Sequence, residues 1–170
     1  MKTIVKQDIA AYAKEYKLCG SIIRQFITLM IHNRSFRTLY YVRFGKWSRL
    51  FSWLLPGEPT FHLPFSKTIG AGVLFFHSYG TIISPEAVIG EGCRITCNIT
   101  IGFKDGKSPV IGNRVEILPG AVISGDVTIG DDCVIGPNCV VHKSVPANCV
   151  VIGNPAIILK RDGKIVREAL

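Results

Sequence analysis

Four side chains in this sequence could take up a proton near neutral pH: His32, His62, His77 and His142. An imidazole with an ordinary pKa near ~6.5 is matched to removing a proton from a hydroxyl. His77 stands out by its surroundings, VLFFHSYGTIISPEAVIG at 73–90, where a regular beat in the chain slips by two residues. His32 falls near the end of a predicted helix, where a cation complements the dipole, and His142 reads as surface. His62 is either an orienting partner of His77 or part of an entry turn, and the sequence leaves both open. Cys19, Cys93, Cys97, Cys133, Cys139 and Cys149 include no C-x-x-C pair. Cys93, Cys133 and Cys139 each follow a repeat isoleucine by four residues, the place of a small buried apolar side chain, so no metal or redox site is expected there.

The beat is a hexad. Ile or Val recurs at Ile89, Ile95, Ile101, Ile111, Ile117, Ile123, Ile129, Ile135 and Val141, often followed by Gly. A period of six fits neither an amphipathic helix nor an alternating strand; it fits a β-helix in which each hexad is one side of a coil. Three hexads per coil predict roughly five coils between Ile69 and Leu159, about 24 Å long at ~4.8 Å per coil. Two breaks interrupt the rhythm: the slip at HSYGTIIS and the ten-residue step from Ile101 to Ile111, which throws out GFKDGKSPV as a loop. Counted forward from the core residues, His77, Cys97, Pro119 and Pro137 fall in one column, a track for an extended ligand.

The first sixty residues read as three helices: one ending before Gly20, one capped by Ser21, and one from Ser35 to Pro56-Gly57. In the third, Phe36, Leu39, Tyr40, Trp47, Leu50, Phe51 and Leu54 share a face opposite Arg37, Lys46 and Arg49. That face packs on the solenoid or a neighbouring subunit, or lies on a membrane surface. Basic charge is concentrated here: residues 1–66 carry ten Lys/Arg against three acids, and residues 67–170 ten against nine. It reads as a solvated helix face or as attraction to an anionic surface. With 48% hydrophobic residues the chain is globular, and no stretch approaches the length of a membrane span. The expected organisation is a helical region at 1–60, a β-helix at 61–159 and a tail at 160–170, in a cytoplasmic protein that contacts at most the inner face of the cell membrane. No nucleic-acid partner is expected.

With IGAGVLFFHSYGTIIS, ITIGFKDGKSPVIGN and VVHKSVPANCVVIGNPAIIL in view, the chain resembles hexapeptide-repeat acyltransferases of the serine acetyltransferase type. Within them it is most similar to the colanic acid branch, which modifies surface polysaccharides. The resemblance implies a mainly β fold, a left-handed parallel β-helix with an N-terminal α-helical segment. It also implies a homotrimer with active sites at subunit boundaries, with pairing of trimers left open, and acetyl-CoA as donor. His77 corresponds to the catalytic base. The pantetheine arm falls on Gly102, Phe103, Pro119, Gly120 and Pro137, and Lys143 and Lys160 are candidates for the CoA phosphates. Phe76, Tyr79, Lys107 and Ser108 are the expected acceptor-side residues. Three positions depart from serine acetyltransferases: Phe76 replaces the Asp before the catalytic histidine, Ser108 replaces the second histidine in the Arg-His-Pro loop, and His62 replaces the orienting Asp. These changes favour a sugar hydroxyl over serine as acceptor. The competing expectations are a serine O-acetyltransferase and a non-catalytic binding or structural solenoid. A zinc enzyme of this architecture needs three converging histidines, which the hexad register does not supply.

Overall fold

The computed structural model describes residues 2–44, 52–62 and 68–170. Three helices precede the repeats: α1, Thr3–Glu15; α2, Ile22–His32; and α3, Arg34–Phe44. Ser21 caps α2 as expected, its hydroxyl accepting from the Arg24 N–H at 3.4 Å. α3 departs from expectation at both ends. Its first turn is capped by Asn33, whose Oδ1 accepts from the Phe36 N–H at 2.8 Å, and this releases Ser35 for another partner. Farther on, Lys46, Trp47, Arg49, Leu50 and Phe51 lie outside the described residues. Phe36 and Leu39 enter the core, whereas Leu54, expected on the same apolar face, is exposed. Arg37, expected on the polar face, is buried. Its guanidinium donates to the carbonyls of Met30 and Ile31 at 2.7 Å and of Pro56 at 2.9 Å, closing the C-terminal end of α2 with a cation.

From Ile69 the chain winds as a parallel β-helix with three walls. The first wall stacks Leu74–Phe75, Arg94–Ile95, Glu116–Ile117, Val134–Ile135 and Cys149–Ile152. The second stacks Ile82–Ile83, Thr100–Gly102, Val122–Ser124 and Val140–Val141, and the third Val88–Ile89, Val110–Ile111 and Thr128–Ile129. Phe75, Ile95, Ile117 and Ile135 point inward with their counterparts on the other walls, and all are buried. Each such side chain contributes about 1.5–3 kcal/mol of apolar burial, which makes this column the main stabilising element. Cys93, Cys133 and Cys139 fill gaps in it; burial pushes the Cys93 and Cys139 thiols up to about 11, so they stay protonated. The glycine that follows each third-wall isoleucine has a steric cause. A methyl group on Gly90 would lie 2.5 Å from the Gly112 carbonyl oxygen of the next coil, and Gly70, Gly112 and Gly130 are equally confined.

The register locates the irregularities. Ile117 pairs with Ile135 eighteen residues on, the regular turn. Phe75 reaches Ile95 in twenty because of the slip at His77, and Ile95 reaches Ile117 in twenty-two because of the inserted loop. The hexad pattern gave no sign of a third break: Ile129 pairs with Val145 only sixteen residues on, across a shortened turn at His142-Lys143-Ser144. Five rungs stack on the first wall, which makes about four turns from Leu74–Phe75 to Cys149–Ile152. Ile157–Arg161 and Lys164–Ala169 then extend the first wall as an antiparallel hairpin, which takes the last residues of the expected β-helix and the tail expected at 160–170.

Among the described residues no coil lies beneath the first one, so its main-chain groups lack the partners that stacking gives the others. Helices α1 and α3 supply them. Asp8 Oδ1 accepts from the Gly72 N–H at 2.8 Å, and the Tyr12 hydroxyl accepts from the Phe75 N–H at 2.9 Å. Arg43 donates to the carbonyls of Ile69 and Gly70 at 2.5 and 2.6 Å. Asp8 and Arg43 are paired at 3.0 Å with side chains only 3% and 6% exposed. Burial raises the Asp8 carboxyl above its ordinary pKa, against the opposing pull of Arg43 and the Gly72 N–H. Ser35 and Ser78 join their hydroxyls at 2.8 Å, both buried.

Arg43→Ala would leave Asp8 buried without its counter-charge and two carbonyls without donors, and should lower unfolding free energy by about 3–5 kcal/mol in denaturant titration. Ser35→Ala leaves the buried Ser78 hydroxyl without its partner and should cost about 1–3 kcal/mol in the same measurement.

Candidate active site

The two surplus residues of the first coil are His77 and Ser78 themselves. At the end of the first wall the Phe76, Thr96 and Leu118 N–H groups donate to Ile95, Ile117 and Ile135 at 2.8, 3.1 and 2.9 Å, so these three residues are equivalent. Beyond the corner, the N–H groups of Asn98, Gly120 and Asn138 donate to Tyr79, Cys97 and Pro119 at 3.0, 3.2 and 2.9 Å. Tyr79, and not His77, therefore occupies the column of Cys97, Pro119 and Pro137. Counting from Phe75 placed His77 there because the insertion begins at His77 itself, ahead of Tyr79. His77 and Ser78 bulge out of the corner, and His77 holds φ at 46°, a left-handed conformation that costs a non-glycine residue energy. Ser78 turns inward to Ser35, and His77 turns out to solvent.

The described residues that form this corner, Phe76, Ser78, Tyr79, Cys97, Asn98 and Pro119, carry no charge. Tyr79 is 48% exposed, and its interaction with the half-buried Cys97 thiol raises the phenol above its ordinary pKa. The Gly80 and Gly120 N–H groups are already donated, to Thr60 Oγ1 at 3.1 Å and to the Cys97 carbonyl at 3.2 Å. Phe76, expected on the acceptor side, lies partly buried with the Arg94 guanidinium 4.8 Å from its ring centroid, and Arg94 pairs with Glu15 at 2.9 Å. Its ring thus serves the contact between α1 and the first wall. His62 lies on the second wall one coil before Ile82 and bonds through its backbone, its N–H donating to the Thr81 carbonyl at 2.9 Å. Among the described residues no hydrogen bond joins its ring to His77.

The remaining expected residues divide between the two edges of the second wall. Pro119, Gly120 and Pro137 stand at the His77 edge. Gly102, Phe103, Lys107, Ser108 and Lys143 stand at the other, roughly 10 Å away for three residues at ~3.3 Å each. There Ser108 Oγ lies 2.8 Å from Ser84 Oγ, Lys107 is paired with Asp126, and Lys143 donates to the Leu170 carbonyl at 2.7 Å. A cavity of about 310 Å³ opens at this far edge between Lys104, Lys107, Ser124, Asp126 and His142. His142, expected as plain surface, bonds through Nδ1 to Ser124 Oγ at 3.1 Å. Lys160 joins neither edge, because it pairs with Val150 in the hairpin sheet on the first wall. Among the described residues no three His, Cys, Asp or Glu side chains converge as a metal site.

Sequence reasoning missed the residues that hold the bulge: Tyr12, Ser35 and Thr60. Only their polar atoms amid apolar spacing could have flagged them.

Residues 108–143 match the family model of the bacterial transferase hexapeptide (six repeats). A serine acetyltransferase of Synechococcus elongatus is 30% identical over 99 residues, covering 56% of this chain and 41% of its own. One of Helicobacter pylori is 34% identical over 98 residues, covering 55% and 57%, and serine acetyltransferase 1 of Arabidopsis thaliana is 43% identical over 95 residues, covering 54% and 30%. The chain thus spans well under two thirds of the length of these relatives. Among solved structures, a Brucella abortus serine acetyltransferase in complex with coenzyme A superposes with a TM-score of 0.72 at 21% identity, over 96% of this chain and 68% of that one. Residue pattern, coil register and superposition agree on the fold: a β-helix of six-residue repeats like that of the Brucella abortus serine acetyltransferase.

Proposed function

We propose that the chain is an acetyl-CoA-dependent O-acetyltransferase in which His77 is the general base. The observation that carries this reading is the bulge itself. Two residues beyond the regular turn push one exposed imidazole out of the corner, and buried bonds to Tyr12 and Ser35 hold its flanks. In the proposed step His77 takes the proton of the acceptor hydroxyl as its oxygen attacks the thioester carbonyl. The tetrahedral intermediate then expels the CoA sulfur, which leaves as thiol with the proton from the imidazolium.

One chain does not complete such a site, because His77 and the loop bearing Lys107 and Ser108 stand on opposite edges of the second wall. A homotrimer in which one copy's loop meets the next copy's His77 corner would complete it. The exposed apolar side chains of that wall and the next, Ile82, Val88 and Val110, support such packing.

The relatives' names support serine as acceptor more strongly than the sugar hydroxyl read from the sequence. The sugar reading keeps one specific support: Phe76 is engaged with Arg94, and Ser108 carries no charge, so neither offers a partner to an amino acid's charged groups. Released CoA thiol, measured with L-serine and with a panel of sugars in parallel, decides between them. Thiol release with serine alone ends the sugar reading, and release with none of the acceptors favours a non-catalytic solenoid. His77→Ala should lower turnover by roughly 10²- to 10⁴-fold while CoA binding by calorimetry is retained; undiminished turnover removes His77 from the mechanism.

A further inference from the structure

We propose that the outer face of α2 seats this protein on an anionic lipid surface. α2 buries only Leu29 fully. Ile23, Ile27 and Ile31, at successive four-residue steps, form a stripe 67%, 50% and 52% exposed. Such a row of aliphatic side chains is costly to leave in water. A groove of about 350 Å³ runs beside the stripe, lined by Phe26, Ile27, Met30, Ile31, Tyr40, Tyr41 and Leu55. Next to Leu55 in the chain, Trp53 and Leu54 are 88% and 70% exposed. Aromatic and aliphatic side chains grouped this way suit the boundary between headgroups and acyl chains.

Charge selects the occupant. Between Tyr16 and Gly57 the sequence holds no Asp or Glu, while it holds Lys17, Arg24, Arg34, Arg37, Arg43, Lys46 and Arg49. Arg37 and Arg43 are consumed by carbonyls and Asp8, but Arg24 and Arg34 are exposed on either side of the stripe's ends. A second copy docked face to face would bring these cations together with no acid on either side to offset them. An anionic headgroup layer takes the stripe and the cations at once. Among the described residues no helix is long and apolar enough to cross a membrane, so the contact is peripheral.

The proposal stands apart from the transferase reading, and its test reads binding alone. The full chain is sedimented with vesicles of phosphatidylcholine and with vesicles carrying about one quarter phosphatidylglycerol. Binding to the anionic vesicles is expected, weakening as salt is raised. The Ile27→Glu/Ile31→Glu variant should lose at least about tenfold in partitioning, with an unchanged thermal melt and unchanged CoA-thiol release on soluble acceptors. Absence of binding to the anionic vesicles, or equal binding by the variant, overturns the proposal. So does light scattering that shows wild type associating through this face while the variant does not, since the occupant is then a second copy.

Discussion

A β-helix satisfies its main chain by stacking, and its first coil has nothing to stack on. That constraint organises the rest of this molecule. The open rung at residues 69–80 would expose or bury unpaired N–H and C=O groups, each costing about 1–3 kcal/mol if buried. Asp8, Tyr12, Ser35 and Arg43 from α1 and α3, with Thr60 from the approach to the solenoid, take their places. The helical segment is thus an end cap made of side chains. Its ion pair is stable in dry surroundings because each partner has further bonds: Asp8 to Gly72, Arg43 to Ile69 and Gly70.

The same cap positions the candidate base. The ladder to the next coil is kept on both flanks of the insertion, with Phe76 bonded to Ile95 and Asn98 to Tyr79, so the two extra residues leave the corner outward. The opposite side of this coil is closed by side chains of the helices, which meet the residues around the bulge directly. Tyr12 fixes the residue two before His77 and Ser35 fixes the residue after it, so the left-handed backbone at His77 is held from both ends. Local strain of this kind persists only where the surroundings over-determine it.

The solenoid was legible because its signal repeats. Nine aliphatic positions in register leave one architecture, and the glycines after Ile69, Ile89, Ile111 and Ile129 mark where one coil's backbone touches the next. The slip beside His77 was also legible, but its sign was not: whether His77 or Tyr79 holds the column depends on which residue is surplus, and only the hydrogen-bond register says that. The shortened turn at His142 was hidden because a missing pair of residues at the end of a repeat looks like the end of the repeat. Ser35 was misread as a cap because Asn33, two residues earlier, has the same chemistry. Arg37 was misread as surface because periodicity places a side chain on a face without revealing what that face meets. The edges of the second wall could not be read together, since no spacing rule says which corner of a neighbouring chain completes a site.

Arg37 also explains how one helical segment can have two faces with different duties. A helix ends in carbonyls without partners, and a buried end without them is unfavourable. By donating to the carbonyls of Met30 and Ile31, Arg37 ties the C-terminal turn of α2 to α3. That fixes the rotation of α2: Leu29 goes inward, and the residues at Ile23, Ile27 and Ile31 are left facing out. Desolvation lowers the Arg37 pKa, yet an arginine starts so high that it stays charged. The orientation of the apolar stripe is thus set by a cation the helix does not contain, on the next helix along, whose neighbouring Ser35 holds the bulge of His77. Seven residues of sequence, from Ser35 through Tyr41, connect the candidate catalytic corner to the exposed face, and α1, which touches both α2 and the first wall and accepts from Phe75 through Tyr12, joins them a second time.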